Sequence, residues 1–302
     1  MLLTVVISSA GSKALAQSLP SNLPIDPSNF DISGIDPALI ERIKNGDMSA
    51  INDLKNSVGS SFTVPTIKVS QKITSGVVKA VGLAMEQKPM EPATPLGTSL
   101  GLNAGIVVTA TKLPADFLTS LQSMGIKSSA NLPPALPTAG IIIQKGLGDS
   151  IDIGGSYLKF KSLFKLWSAN AKIVLYHPEE GLTWAIRMNY TSAKVLIVST
   201  QTYSPQLIVS RQLAFADPYL GIGAQYIRGT IDMDIPTKLP DAAIALGAPK
   251  TIKVHGDGSA YTGNGFIGIR FVIPRVGLML GFEGSYSLAK AHSLGVKLGL
   301  SL

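Results

Sequence analysis

Three histidines, and no cysteine, narrow the chemistry this chain can carry. Without thiols there is no disulfide frame, no thiolate metal site and no cysteine nucleophile. His177, His255 and His292 lie far apart in sequence, without the i, i+3 or i+4 spacing of a metal-binding helix, and no phosphate loop or dinucleotide fingerprint is present. His255 is followed two residues later by Asp257, in the run Lys253-Val254-His255-Gly256-Asp257-Gly258. A carboxylate beside an imidazole can polarise a water, so this pair is the single candidate for hydrolysis. The Gly-rich surroundings read better as a solvated loop, His177 before Pro178 reads as a turn residue, and the expectation is no enzyme, no cofactor and no metal. A second set consists of lone charges among Gly, Ser, Thr and apolar residues: Lys172, Arg187, Arg270, Glu283 and Lys297. If one surface gathers them, they form either an ion-pair network around Glu283 or, with four bases to one acid, a path that favours anions.

What gathers them is a period of two. Leu182, Trp184, Ile186, Met188 and Tyr190 alternate with Thr183, Ala185, Arg187, Asn189 and Thr191. Val276, Leu278, Leu280, Phe282 and Tyr286 alternate with Gly277, Met279, Gly281, Glu283 and Ser287, and similar runs occupy 99–111 and 293–302. Side chains of a strand point alternately to opposite faces, so each run has an apolar face and a small or polar one. A soluble sandwich would load its polar face with Lys and Glu, whereas here it is Gly, Ser and Thr with single charges. Mean hydropathy is +0.30, yet no apolar run approaches the ~18 to 20 residues of a spanning helix. Strands of about 9 to 11 residues fit a tilted bilayer crossing.

The expected fold is therefore all-β: an antiparallel up-and-down transmembrane barrel of about ten strands (eight to twelve) over residues 99–302. The strands fall near 99–112, 136–144, 149–159, 166–177, 182–192, 203–214, 217–232, 262–273, 275–288 and 291–302. With the C-terminus in the periplasm, short joins at 145–148, 177–181, 216–217 and 274–275 fall on that side. The long segments Leu113 to Ala135 and Met233 to Tyr261 fall outside. Residues 1–16 read as a signal peptide, cut after Ala14-Leu15-Ala16, although no Lys or Arg precedes the apolar stretch. Residues 17–98 read as a periplasmic linker and helical segment that packs under or inside the barrel mouth. Within it lie helical spacing from Asp36 to Leu54, a short strand in Phe62 to Ser70, and an ambiguous stretch from Thr74 to Glu86. Pro89 to Pro95 is a connector.

The final residues Leu294, Val296, Leu298, Leu300 and Leu302 resemble the C-terminal signal that barrel-assembly machinery reads, with Leu302 where an aromatic is commoner. Several segments also resemble a family of uncharacterised proteobacterial outer-membrane barrels. They are Ala93-Thr94-Pro95-Leu96-Gly97, Leu136-Pro137, Gln144-Lys145-Gly146-Leu147, Tyr190-Thr191, Ser210-Arg211 and Pro218-Tyr219-Leu220-Gly221-Ile222-Gly223. That resemblance implies a barrel with a secretion signal and no assigned activity. A looser similarity to fatty-acid-transporter-like barrels is architectural.

A net charge of +7 with scattered Lys and Arg gives no basic stripe, so nucleic acid is not an expected partner. Outer-membrane lipid, including lipopolysaccharide phosphates, is. Ten strands are too few for an open general pore. The function expected is passive transport or a channel for small or hydrophobic solutes, the alternative is a non-transporting structural, adhesive or partner-binding barrel acting through its outer loops, and a hydrolase is a remote third.

Overall fold

The computed structural model describes Ala38, Arg42 and residues 66–97, 100–114, 135–160, 164–236, 251–273 and 276–302. The signal peptide and nearly all of the helical spacing from Asp36 to Leu54 lie outside the described residues. Ten strands form the wall: β2 Leu102–Lys112, β3 Leu136–Gly146, β4 Ile151–Phe160, β5 Phe164–Tyr176, β6 Leu182–Val195, β7 Val198–Arg211, β8 Ala216–Pro236, β9 Thr251–Ile273, β10 Leu278–Ser287 and β11 His292–Ser301. Each pairs antiparallel with its sequence neighbours, and β11 pairs with β2, from His292↔Lys112 to Ser301↔Asn103, closing the sheet. Closure leaves no edge, the one way a sheet satisfies its backbone within lipid. A short β1, Thr66–Lys68, adds parallel to β9 at Lys253 to His255, and helix α1, Gln71–Met85, follows it.

The wall is inverted relative to a soluble barrel. Ile106, Ile141, Ile173, Ile186, Ile267, Leu298 and Leu300 point outward and are exposed, while Asn103, Lys172, Arg187, Asn189 and Lys297 are buried inside. An outward apolar wall around a polar interior is the pattern of a transmembrane barrel. The apolar wall is bounded by aromatics. Trp167, Tyr190, Tyr203, Tyr226 and Tyr261 touch ring to ring across β5 to β9 with centroids 4.6 to 6.2 Å apart, and exposed Tyr157 stands opposite Trp167 on β4. Toward the other mouth, exposed Tyr176, Trp184 and Phe215 mark a second row. From Trp167 to Tyr176 a strand tilted by ~40° spans about 23 Å at ~3.3 Å per residue, matching the ~25 Å apolar band of such barrels.

The two mouths differ. At the proximal mouth lie the C-terminus and the joins 147–150, 177–181, 212–215 and 274–277, all short. The distal mouth carries the long joins 113–135 and 237–250, but also the short ones 161–163, Leu196-Ile197 and 288–291. Within the expected outer loop from Met233 to Tyr261, residues 233–236 and 251–261 are strand, because β8 runs to Pro236 and β9 starts at Thr251. These two strands pair well beyond the aromatic row, where β1 joins them.

The ambiguous stretch from Thr74 resolves as helix. Val77, Val78 and Val81 favour strand on propensity, but a segment inside a closed wall has no edge to pair with. A helix satisfies its own backbone. α1 packs in the distal half against Leu166, Ala193, Val198, Ile227 and Ile231, with Leu113, Leu136, Leu158 and Val195 around it. Glycines let it lie against the wall: a Cβ on Gly82 would collide with Ile227 Cγ2, and one on Gly258 of β9 would sit 2.7 Å from the Ser75 backbone. Residues 86–97 then run along the interior to the proximal mouth, where the Leu96 amide donates to Asp152 (3.2 Å). Residues 71–97 thus lie inside the barrel, and Thr66 and Leu302 sit at opposite mouths. The expectation that this segment and the C-terminus share one side does not hold for residues 66–85.

The register gives a direct test. Ile267 lies outward midway between Tyr261 and Ile273, so Ile267→Arg is expected to lower unfolding free energy by about 2–4 kcal/mol in reconstituted bilayers. At Gly281 the wall faces Met90: a Cβ at this position would lie 3.8 Å from the Met90 carbonyl oxygen and 4.0 Å from Met90 Cβ. Gly281→Arg is therefore expected to prevent native closure rather than find room. Urea titrations of both variants in vesicles check this, and an unaffected Ile267→Arg contradicts the assignment.

Candidate functional site

The interior is organised by a stretch that makes no helix and no strand. It begins where α1 ends, and residues 86–94 are buried without interruption. Pro89, Pro92 and Pro95 each lack an amide donor and bar a continuing helix, so the peptide groups around them need partners from the wall. The wall provides them. Lys297 Nζ donates to the Pro89 carbonyl (3.1 Å), Arg187 to the Glu91 carbonyl (3.3 Å), and Lys172 Nζ to the carbonyls of Pro92 (2.9 Å) and Thr94 (2.6 Å). In the other direction the Ala93 amide donates to Ser210 Oγ (3.0 Å) and the Gln87 amide to Thr191 Oγ1 (3.3 Å).

Glu91 is the hub of the side-chain network. Its carboxylate, 1% exposed, accepts from Arg270 Nη1 at 2.8 Å and from Lys297 Nζ, and takes a further bond from Asn103 Nδ2 at 2.7 Å. Arg270 also grips Asp217 (Nη2 to Oδ2, 2.5 Å), and Lys172 grips Asp152 (2.8 Å). Arg187 is held by Gln206 Oε1 at 2.9 and 2.6 Å and lies over the Phe266 ring. Lys88 reaches Ser285 and Ser293, and Gln225 donates to Glu86.

All five charges picked from sequence, Lys172, Arg187, Arg270, Glu283 and Lys297, are inside and buried. Their organisation differs from expectation in two ways. The centre is Glu91, not Glu283, whose bond is from the Tyr219 hydroxyl (3.0 Å). The excess of positive charge also disappears. Among the described residues, the buried acids Glu86, Glu91, Asp152, Asp217 and Glu283 equal in number the buried bases Lys88, Lys172, Arg187, Arg270 and Lys297. Sequence reasoning missed Asp152 although Ile151 and Ile153 flank it on the outward register, and assigned Asp217 to a turn. Glu91 was missed because Pro89 to Pro95 reads as a connector, and Glu86 and Lys88 because they close or follow the ambiguous stretch from Thr74. The signal was three charges within a run that abuts the first strand.

The three histidines each have a defined neighbour. His255 lies on the outer face of β9 and not in a loop. Its Nδ1 meets Asp232 Oδ1 at 2.6 Å and its Nε2 meets Asp257 Oδ2 at 3.1 Å, so both nitrogens are engaged by carboxylates. The hydrogen bond from His255 holds the Asp232 carboxyl below its ordinary value, and Asp232, aided by Asp257, raises that of the imidazole. His177 Nδ1 bonds Thr183 Oγ1 (2.9 Å), and His292 lies beside Tyr286. No cluster of metal-ligating side chains occurs among the described residues. Leu294, Val296, Leu298, Leu300 and Leu302 form an exposed apolar ridge on and just beyond β11.

No family model matches the chain, and no curated protein matches it in sequence. Among solved structures it is similar to the attachment invasion locus protein Ail of Yersinia pestis (10% identity, 66% of this chain and 93% of that one, TM-score 0.26). It is also similar to Neisserial surface protein A (9%, 67% and 96%, TM-score 0.25) and to the outer membrane protein OprD of Pseudomonas aeruginosa (8%, 56% and 60%, TM-score 0.23). The assignment to a ten-strand transmembrane barrel rests on this chain's own pairing and outward wall.

Two outcomes follow. Glu91→Ala leaves Arg270 and Lys297 without their shared carboxylate and is expected to cost about 3–5 kcal/mol. Glu283→Ala, which removes the acceptor of one tyrosine hydroxyl, is expected to cost less. Equilibrium unfolding in vesicles ranks them, and equal losses contradict the hub assignment. For His255, the raised value means that its contribution to the β8–β9 hairpin is full in acid and fades as pH rises through it. The ring titration followed by NMR should have a midpoint above that of a free imidazole, and Asp232→Asn should lower it.

Proposed function

We propose that this chain is a closed outer-membrane barrel that conducts little, and that acts through what it presents at its distal mouth. The observation that carries the reading is the occupied interior. A ten-strand wall encloses a space that side chains alone can nearly fill, and here residues 71–97 run through it with α1 in the distal half and Glu91 tied to β9 and β11. This favours the structural or partner-binding alternative over passive transport. The C-terminus and the uniformly short joins are assigned to the periplasm, as in bacterial barrels. Thr66 and the extended β8–β9 hairpin then face the exterior. The outward ridge of β11 is the surface offered to the assembly machinery.

A second reading has one specific support. Asn170 and Asn189 stand opposite each other in the β5–β6 ladder, and Asn170 Nδ2 and both polar side-chain atoms of Asn189 are buried without partners. Such polar gaps hold water, and a chain of them would pass a small polar solute once residues 86–97 shift.

Planar-bilayer recordings separate the two. Wild-type protein is expected to show no stable conductance, and a variant combining Glu91→Ala with Lys88→Ala to show flickering openings as the segment loosens. Because the buried charges balance, those openings should lack a strong anion preference. Steady conductance from the wild type would overturn the closed reading.

A further inference from the structure

Just mouthward of the distal aromatic row lies a band of cations on the outer face. Lys165 is two residues mouthward of Trp167, Lys194 is four mouthward of Tyr190, and Arg228 is two mouthward of Tyr226. Lys165 stands directly opposite Lys194 in the β5–β6 ladder. Like charges facing each other across strands are destabilising; among the described residues neither Lys165 nor Lys194 forms a close salt bridge, and Asp232 acts on Lys194 only from a distance. Arg228 is oriented by Gln201 Oε1 (2.8 Å) and lies over the Tyr203 ring, 5.7 Å from its centroid. Lys165, Trp167, Lys194, Gln201 and Arg228 all line one surface cavity of about 680 Å³, with the hydroxyls of Ser192, Ser199, Thr230 and Ser259 around it.

We infer that this cavity binds the phosphorylated sugar headgroup of a lipid in the leaflet that meets the distal mouth. The inference rests on the membrane placement proposed above. Three arguments select the occupant. Height is the first: aromatic girdles mark the boundary of the hydrocarbon, so a band one or two residue pairs beyond it lies at headgroup level. Charge is the second: three cations facing one cavity, with Asp257 the acid in its lining, match a ligand bearing more than one negative charge, and each basic side chain near an anionic surface strengthens binding. The third is the mixture of an exposed Trp face with a ring of hydroxyls, which suits a sugar, whereas a bare phosphate would use the cations alone. An anionic ligand also relieves the repulsion between Lys165 and Lys194.

The test uses full-length protein extracted in mild detergent and loaded with lipopolysaccharide. Bound lipid is quantified by native mass spectrometry after washing. Retention is expected for lipid bearing its phosphates, with a loss of about tenfold or more for an enzymatically dephosphorylated preparation and for the triple variant Lys165→Gln, Lys194→Gln, Arg228→Gln. Lys145→Gln, at the proximal mouth, serves as the control and should retain lipid like wild type. Unchanged retention in the triple variant, or equal retention of the dephosphorylated lipid, overturns the inference. So does complete displacement by inorganic phosphate at roughly 10 mM, about two orders of magnitude above the lipid, because a free anion cannot replace the sugar's hydrogen bonds and full competition marks a site for soluble anions. Density-gradient fractionation of the same preparation keeps the two readings apart: protein absent from outer-membrane fractions defeats the placement, whereas protein present there with unselective lipid retention defeats this site alone.

Discussion

A peptide segment that crosses a closed sheet has no edge to pair with, and this constraint organises the interior. Each carbonyl and amide of residues 86–97 that is buried must find a side chain or lose the free energy of a hydrogen bond. Here the side chains come from strands distributed around the barrel: Lys172 on β5, Arg187 and Thr191 on β6, Ser210 on β7, Lys297 on β11. The lumen cations serve first as donors to a backbone that prolines have deprived of regular structure. Their charge is then answered by carboxylates, of which Glu91 arrives on the same segment.

That arrangement explains why the interior can be so polar and still closed. A buried charge is costly unless paired and fully hydrogen-bonded. Lys297 touches Gln144, the Pro89 carbonyl and Glu91, and Arg270 joins Glu91 to Asp217, so each cation meets several acceptors at once. α1 solves the same problem differently, by satisfying its backbone internally and offering Val77, Val78 and Leu83 to the apolar distal interior. One connected stretch therefore fills the barrel with two kinds of packing, apolar in the distal half and ionic beyond it.

All ten wall strands were legible in the sequence because the alternation of Gly, Ser and Thr with Ile, Leu and Val follows directly from having lipid on one side. The inward placement of Lys172, Arg187, Arg270, Glu283 and Lys297 follows from the same parity. What was not legible depends on contacts between distant residues. Thr74 to Met85 carries β-branched residues that suit either period, and only the closed surroundings decide for helix. Glu91 sits where no periodicity exists, so nothing local reveals that Arg270 and Lys297 converge on it. The reach of β8 and β9 past the aromatic row was hidden by Gly256 and Gly258, which read as loop residues and instead make room for α1.

The path of residues 66–97 has a consequence for how the molecule assembles. The seam that closes the wall joins β11 to β2, elements at the two ends of the barrel sequence, and Lys297 meets Glu91 across 206 positions. Contacts so distant in sequence carry a large loop-closure cost and form late. The segment therefore has to be laid against the nascent sheet before the seam zips, because afterwards it could enter only by being drawn lengthwise through a filled interior. Once zipped, the topology is that of a threaded needle. Escape requires either reopening the ten paired positions of the seam or pulling α1 past the ionic half, and both routes set a high kinetic barrier whatever the equilibrium between them.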